Sequence, residues 1–209
     1  MQDLLPFRQP LYHQKRTTIT SWRMYAVMEQ CIMLKHWMSI MPTLTAIFPI
    51  FPMAVTESSC VYLIQDGRWL MLLRNRKEHD INDGKWIGIG GKKEPGETME
   101  QCAIRETFEE TGLTMHSLTM AGQVHFQQEG IDDEIITVFT SQDFSGVMHA
   151  CDEGTLAWIM EKDVLSLSLW PGDRIFLTQM MEGKDLPFDL KLEYDVDGNL
   201  IGIQDKRTV

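Results

Sequence analysis

Three glutamates, Glu106, Glu109 and Glu110, stand at spacings of i, i+3 and i+4, with Arg105 directly before them. On a helix those spacings put the carboxylates on one face. Like charges so placed oppose helix formation by about 0.2–0.5 kcal/mol per pair. Two readings follow: a solvated acidic face, common on surface helices, or a site for a hard cation. Mg²⁺ prefers oxygen ligands, keeps several of its waters and is usually shared between a few carboxylates and phosphate oxygens. Held there, it would neutralise phosphate charge and lower the pKa of a water so that it attacks phosphorus. The spacing by itself favours the solvated face.

The segments around the glutamates bound their helix. Thr98 with Gln101 three residues on forms a capping box, Glu100 suits the positive end of the helix dipole, and Gly112 supplies a left-handed stop. This predicts a helix over 99–111. Upstream, 60–64 and 69–73 are apolar runs flanking Asp66-Gly67, which predicts a hairpin. A polar loop over 77–85 leads into a short strand over 86–89 and the pair Gly90-Gly91. Further strands are predicted over 119–126, 134–140 and 155–160, the last running into an acidic connection. Pro171 sits at a good first-turn position for a helix reaching Met181. The tail, 188–194 and 200–203 around Asp197-Gly198-Asn199, reads as a final hairpin. Strands interrupted by two helices imply an α+β domain with a mixed sheet.

The chain has 209 residues, 44% of them hydrophobic and 23% charged, so it is able to bury a real core. That length suits one domain plus an appendage. A formal net charge of -11 argues against binding nucleic acid polymers or anionic membrane, and it requires metal ions to help hold any phosphorylated ligand. Cys31, Cys60, Cys102 and Cys151 form no C-x-x-C pair, which suggests neither zinc nor a redox motif and fits a reducing, cytoplasmic setting. Residues 1–53 form an extension holding six of the fifteen methionines before Met53. Within it and just beyond, 37–55 carries no charge and is an anchor candidate by length, against which stand Pro42, Pro49 and Pro52. No membrane association is expected. The domain is read as 54–209, a monomer or homodimer.

Set together, the flanks and the glutamates spell Gly91-x5-Glu97-x7-Arg105-Glu106-Thr107-x-Glu109-Glu110-x-Gly112-Leu113. This resembles the signature of the Nudix hydrolases. Every glycine, glutamate and arginine position is met, and only Thr107 departs, standing where the family usually has an aliphatic residue. The resemblance implies an α/β/α sandwich with a mixed sheet and a catalytic loop-helix-loop. It implies Mg²⁺, with Mn²⁺ as a substitute, held by Glu106, Glu109, Glu110 and the Gly91 carbonyl. Glu97 and Arg105 would orient the set, and for Glu97 a loop-to-helix salt bridge with Arg105 is an equal reading. Competing phosphate motifs are absent: Gly91-x4-Gly96 is followed by Glu97 rather than Lys-Ser/Thr, and Gly88-x-Gly90 lacks the third dinucleotide glycine.

The resemblance spans about 61–203 and is closest to the 8-oxo-dGTP diphosphatase branch, which cleans the nucleotide pool and so protects DNA. It implies hydrolysis of a nucleotide substrate to the monophosphate and pyrophosphate. Glu153, five residues before Trp158, matches a carboxylate that joins the metal site or acts as base in that branch; an ordinary loop glutamate is the other reading. Trp170 and Asp173 match residues that stack on and hydrogen-bond the purine, with core packing and helix capping as their rival roles. Phe126 is placed beside them. Arg74 and Lys92 resemble phosphate contacts, or are surface cations. Two departures bear on the base: Ile87 replaces an asparagine, and Gly172 the first of two aspartates. Other Nudix specificities, such as ADP-ribose or ordinary triphosphates, and a non-catalytic nucleotide sensor are the alternatives.

Overall fold

Asp66 and Gly67 both adopt positive φ, 51° and 68°, as a two-residue turn matched to strand twist requires. They join β1 (Thr56–Gln65) to β2 (Arg68–Arg74) in a computed structural model that describes residues 55–76 and 80–208. The expected extension 1–53 and nearly all of the anchor candidate lie outside those residues. Among the described residues no helix is long and apolar enough to cross a membrane.

The hairpin strands pair only beside the turn, Ile64 with Trp69 and Gln65 with Arg68. Beyond it they splay: β1 runs parallel to β6 (Glu134–Ser141), and β2 antiparallel to β8 (Gly154–Met160). The residues after β2 fill the wedge. β3 (Trp86–Ile87) pairs with β2, then Ile89 and Lys92 bridge to β1. The strand predicted over 86–89 is therefore cut short, because the chain changes partner at Gly88. A Cβ added there would lie 2.5 Å from Cys60 Sγ, so only glycine lets the crossing segment lie against β1.

β5 (Thr119–Gln128), β9 (Phe188–Tyr194) and β10 (Leu200–Asp205) complete an eight-stranded mixed sheet in the order β10-β9-β5-β6-β1-β2-β3, with β8 also on β2. β4 (Leu113–Met115) and β7 (Phe144–Gly146) form a separate ribbon, too short to leave a pattern in the sequence. The helices are α1 (Met99–Thr111), α2 (Glu161–Val164) and α3 (Asp173–Glu182). α2 occupies the acidic connection. α3 starts two residues after Pro171, since Gly172 is its N-cap.

Alternation along the central strands assigns the layers. Val61, Leu63 and Leu70 pack with Ala103 of α1 on one face, while Tyr62, Trp69 and Met71 pack with Phe176 and Leu177 of α3 on the other. The result is the α/β/α sandwich. α1 has the predicted bounds because its caps are local: Thr98 accepts from Gln101 N at 3.2 Å, Gln101 Oε1 accepts from Thr98 N at 2.8 Å, and Gly112 sits at φ 77°. Thr107 is fully buried and its hydroxyl has no hydrogen-bond partner among the described residues. An aliphatic side chain there would avoid a cost of about 1–3 kcal/mol.

Candidate active site

The helix, its preceding loop and β1 meet around Arg105. Its guanidinium donates to Glu97 from Nη2 at 2.7 Å and from Nε at 3.2 Å, to Glu106 from Nη1 at 2.7 Å and to Glu109 at 3.2 Å. It also reaches the Lys92 carbonyl at 3.2 Å. One cation thus gathers three of the motif carboxylates. The salt bridge read for Glu97 is present; the Arg105 bonds and the Glu94 N–H hold its carboxyl down at about 2, and Glu97 in turn raises Arg105. Glu97 is ionised throughout the working pH range.

Glu106 and Glu110 point at consecutive residues of the glycine loop. A Cβ on Gly91 would lie 2.6 Å from the Glu106 carboxyl carbon, and the Gly90 N–H donates to Glu110 Oε2 at 3.1 Å. The Gly91 carbonyl accepts from Ser59 N at 2.9 Å and from the Cys102 thiol at 3.4 Å. Spacing alone did not single out Ser59 or Cys102, which reach this loop from other elements. Among the described residues no three Asp, Glu, His or Cys groups are set to hold a metal ion together. Here Arg105 supplies the charge that faces Glu106 and Glu109.

Arg74 and Glu153, far apart in sequence, are brought into contact. Arg74 Nη1 donates to Glu153, and Arg74 Nε to Asp80 at 2.7 Å. Arg74 is buried, so its charge is spent on carboxylates within the protein. The charges of Glu110 and Arg74 both act on Cys151, which places the Glu153 loop beside the end of α1. His149 N fastens that loop to the Thr111 carbonyl at 2.9 Å. Lys92 is exposed.

On the α3 face an aromatic wall forms. Trp170 meets Phe126 and Tyr194 edge-on, at centroid distances of 6.1 and 5.3 Å, and Phe126 lies 5.0 Å from Tyr194. Lys85 Nζ sits 5.5 Å from the Trp170 ring, and Trp170 Nε1 donates to Asn82 at 2.7 Å. Core packing and a wall for a flat ligand are compatible here, because an aromatic face serves both. Asp173 does not cap α3; Gly172 holds that position without a side-chain bond. Its carboxyl has no hydrogen-bond or ion-pair partner among the described residues, and it acts electrostatically on Cys60, Tyr62 and Tyr194. Burial pushes it up to about 7, against a smaller downward pull from Lys85. Burial likewise raises the Cys60 thiol to about 12.

The sign of the Asp173 effect follows from linkage. Between pH 3.8 and about 7 the folded chain keeps a proton that the unfolded chain releases. Stability from this group is therefore complete below about pH 4 and lost as pH rises through about 7. The displacement corresponds to at most about 4 kcal/mol. Asp173→Asn is expected to reduce the difference in unfolding free energy between pH 5 and pH 8, measured in urea; an unchanged difference would show that the carboxyl titrates normally.

A sequence profile described as the NUDIX domain matches residues 56–180. The chain belongs to the Nudix family. It is 31% identical over 125 residues to the "Oxidized purine nucleoside triphosphate hydrolase" of Danio rerio, covering 59% of this chain and 78% of that one. It is 29% identical over 131 residues to the "CTP pyrophosphohydrolase" of Escherichia coli (strain K12), covering 62% and 93%. The crystal structure of a MutT protein from Bacillus halodurans superposes with a TM-score of 0.64 at 24% identity, covering 73% and 98%, and shows the same fold. This Nudix chain is a hydrolase of phosphorus anhydrides.

Proposed function

We propose that residues 54–209 form a Mg²⁺-dependent pyrophosphohydrolase that converts an oxidised purine deoxynucleoside triphosphate, 8-oxo-dGTP, into the monophosphate and pyrophosphate. The observation that carries the substrate class is the half-buried Asp173 carboxyl, which acts on Tyr194, the ring packed against Trp170 and Phe126. Aromatic faces accept any base, while a half-buried carboxyl beside them chooses among bases by the hydrogen bonds they offer it. The fish relative, named for oxidised purine triphosphates, supports the same reading.

The donor set fits the cation. Glu106, Glu109, Glu110, Glu153 and the Gly91 carbonyl are hard oxygen ligands, and the close approach of Glu106 to Gly91 puts two of them at one loop. Bound there, the metal supplies charge neutralisation and a water of lowered pKa. Glu97 holds Arg105, and Arg105 orients Glu106 and Glu109. Glu153, or one of the helix glutamates, takes the proton of the attacking water, while Arg74 steers Glu153. Trp170, Phe126 and Asp173 seat the base, and exposed Lys92 lies near the phosphates.

A second reading, turnover of an ordinary nucleotide such as CTP, is favoured by Ile87 and Gly172. They leave an apolar, half-buried side chain and a bare backbone where two polar readers are absent. A panel of 8-oxo-dGTP, dGTP, CTP and ADP-ribose assayed with Mg²⁺ separates the two. The expected result is kcat/KM at least about tenfold higher for 8-oxo-dGTP than for dGTP. Equal rates on these two with faster CTP or ADP-ribose cleavage would remove the proposed substrate.

A further inference from the structure

A run of polar contacts joins the aromatic wall to the Glu153 carboxylate through the short turn 80–85. Trp170 Nε1 donates to Asn82 Oδ1 at 2.7 Å, Asn82 N donates to Asp80 Oδ1 at 3.0 Å, and Asp80 Oδ2 accepts from Arg74 Nε at 2.7 Å. Arg74 then donates from Nη1 to Glu153. The side chains of Asp80 and Arg74 are only 8% and 11% exposed, so these charge-assisted bonds are little weakened by water.

The turn that carries the run is itself stitched down. Gly84 N donates to the Arg74 carbonyl at 2.8 Å, Arg74 N to the Lys85 carbonyl at 2.9 Å, and Trp86 N to the Ser168 carbonyl at 2.8 Å. It is therefore held at one side to the end of β2 and at the other to the segment that bears Trp170. Backbone so fastened passes on a displacement instead of absorbing it. Lys85, over the Trp170 ring, belongs to the same turn.

We propose that Asp80 and Asn82 are positioning residues which tie the seating of Trp170 to the aim of Glu153, so that filling the base pocket sets turnover as well as affinity. The inference rests on the pyrophosphohydrolase reading. Asp80 holds Arg74 by Nε and leaves Nη1 for Glu153; with that hold gone, the guanidinium swings and the carboxylate loses its aim. A misplacement of about 1 Å in a reacting group costs about a hundredfold in rate. Asn82 links the indole to this arrangement.

The test is a cycle of Trp170→Phe, which keeps a ring and loses the Nε1 donor, and Asp80→Asn, with kcat and KM for the preferred triphosphate measured separately. Each single variant is expected to lower kcat by about tenfold or more, and the double variant to fall no further than the worse single one. Asn82→Ala replaces Asp80→Asn in the cycle if the latter does not fold. An unchanged kcat with a raised KM in Trp170→Phe, or effects that multiply in the double variant, on an active wild-type chain, overturns the relay alone. Absence of triphosphate cleavage by the wild-type chain overturns the underlying reading and the relay with it.

Discussion

Glu109→Gln is expected to lower kcat by about a thousandfold, roughly 4 kcal/mol of barrier, while leaving the melting temperature close to that of the wild type. The two halves of that result have separate causes. The Glu109 side chain is 56% exposed, and its ion pair to Arg105 at 3.2 Å spans a single helical turn. Such exposed pairs contribute about 0.3–0.5 kcal/mol, so the fold loses little. Glutamine keeps the shape but removes the charge that a hard cation requires. Single-turnover rates with saturating Mg²⁺, together with thermal unfolding, check both halves. A rate within about tenfold of wild type, or 1.4 kcal/mol, is incompatible with Glu109 as a central ligand. A large fall in stability would instead make the glutamate face structural.

Gly90→Ala tests the other partner of the helix, the glycine loop. Gly90 adopts φ 153°, and a Cβ there would lie 2.7 Å from the Ser59 carbonyl carbon and overlap its oxygen. That carbonyl belongs to β1, which is hydrogen-bonded along its length to β6, so rotation of a side chain cannot relieve the overlap. The expected outcome is a loss of roughly 3 kcal/mol of stability and about a hundredfold or greater fall in kcat, because Gly90 also donates to Glu110. Urea unfolding and steady-state kinetics measure them. Gly96→Ala provides the contrast: Gly96 has φ 91° with no atom within 4 Å of an added Cβ, so it carries backbone strain of about 1–2 kcal/mol alone. Equal behaviour of the two variants would show that the close approach to β1 does not matter.

Much of helix α1 was legible in the sequence because its determinants are local. Thr98, Gln101 and Gly112 cap it by bonds that span three or four residues, so its bounds follow from chain chemistry alone. The Asp66-Gly67 turn is equally local, and the glutamate spacing requires nothing beyond helical pitch. The strands over 119–128, 134–141 and 188–194 are long enough for alternation to declare them. β4, β7 and α2, of three or four residues each, carry no period to read.

What tertiary structure alone decided is the company those local pieces keep. The splay of β1 from β2 admits residues 86–92 between them, and that insertion sets Gly90 and Gly91 against Glu110 and Glu106. Arg74, read in sequence as a phosphate contact or a surface cation, meets Glu153 across a separation of 79 residues, and Trp170 meets Asn82 across 88. Asp173 has an ordinary carboxyl by composition; burial among Cys60, Tyr62 and Tyr194 raises it. Caps and turns are properties of a few consecutive residues, whereas burial and long-range pairing exist only once the sheet has brought distant segments together. The residue types at 91–113 determined which chemistry was available, and the packing of the sheet determined which groups surround it.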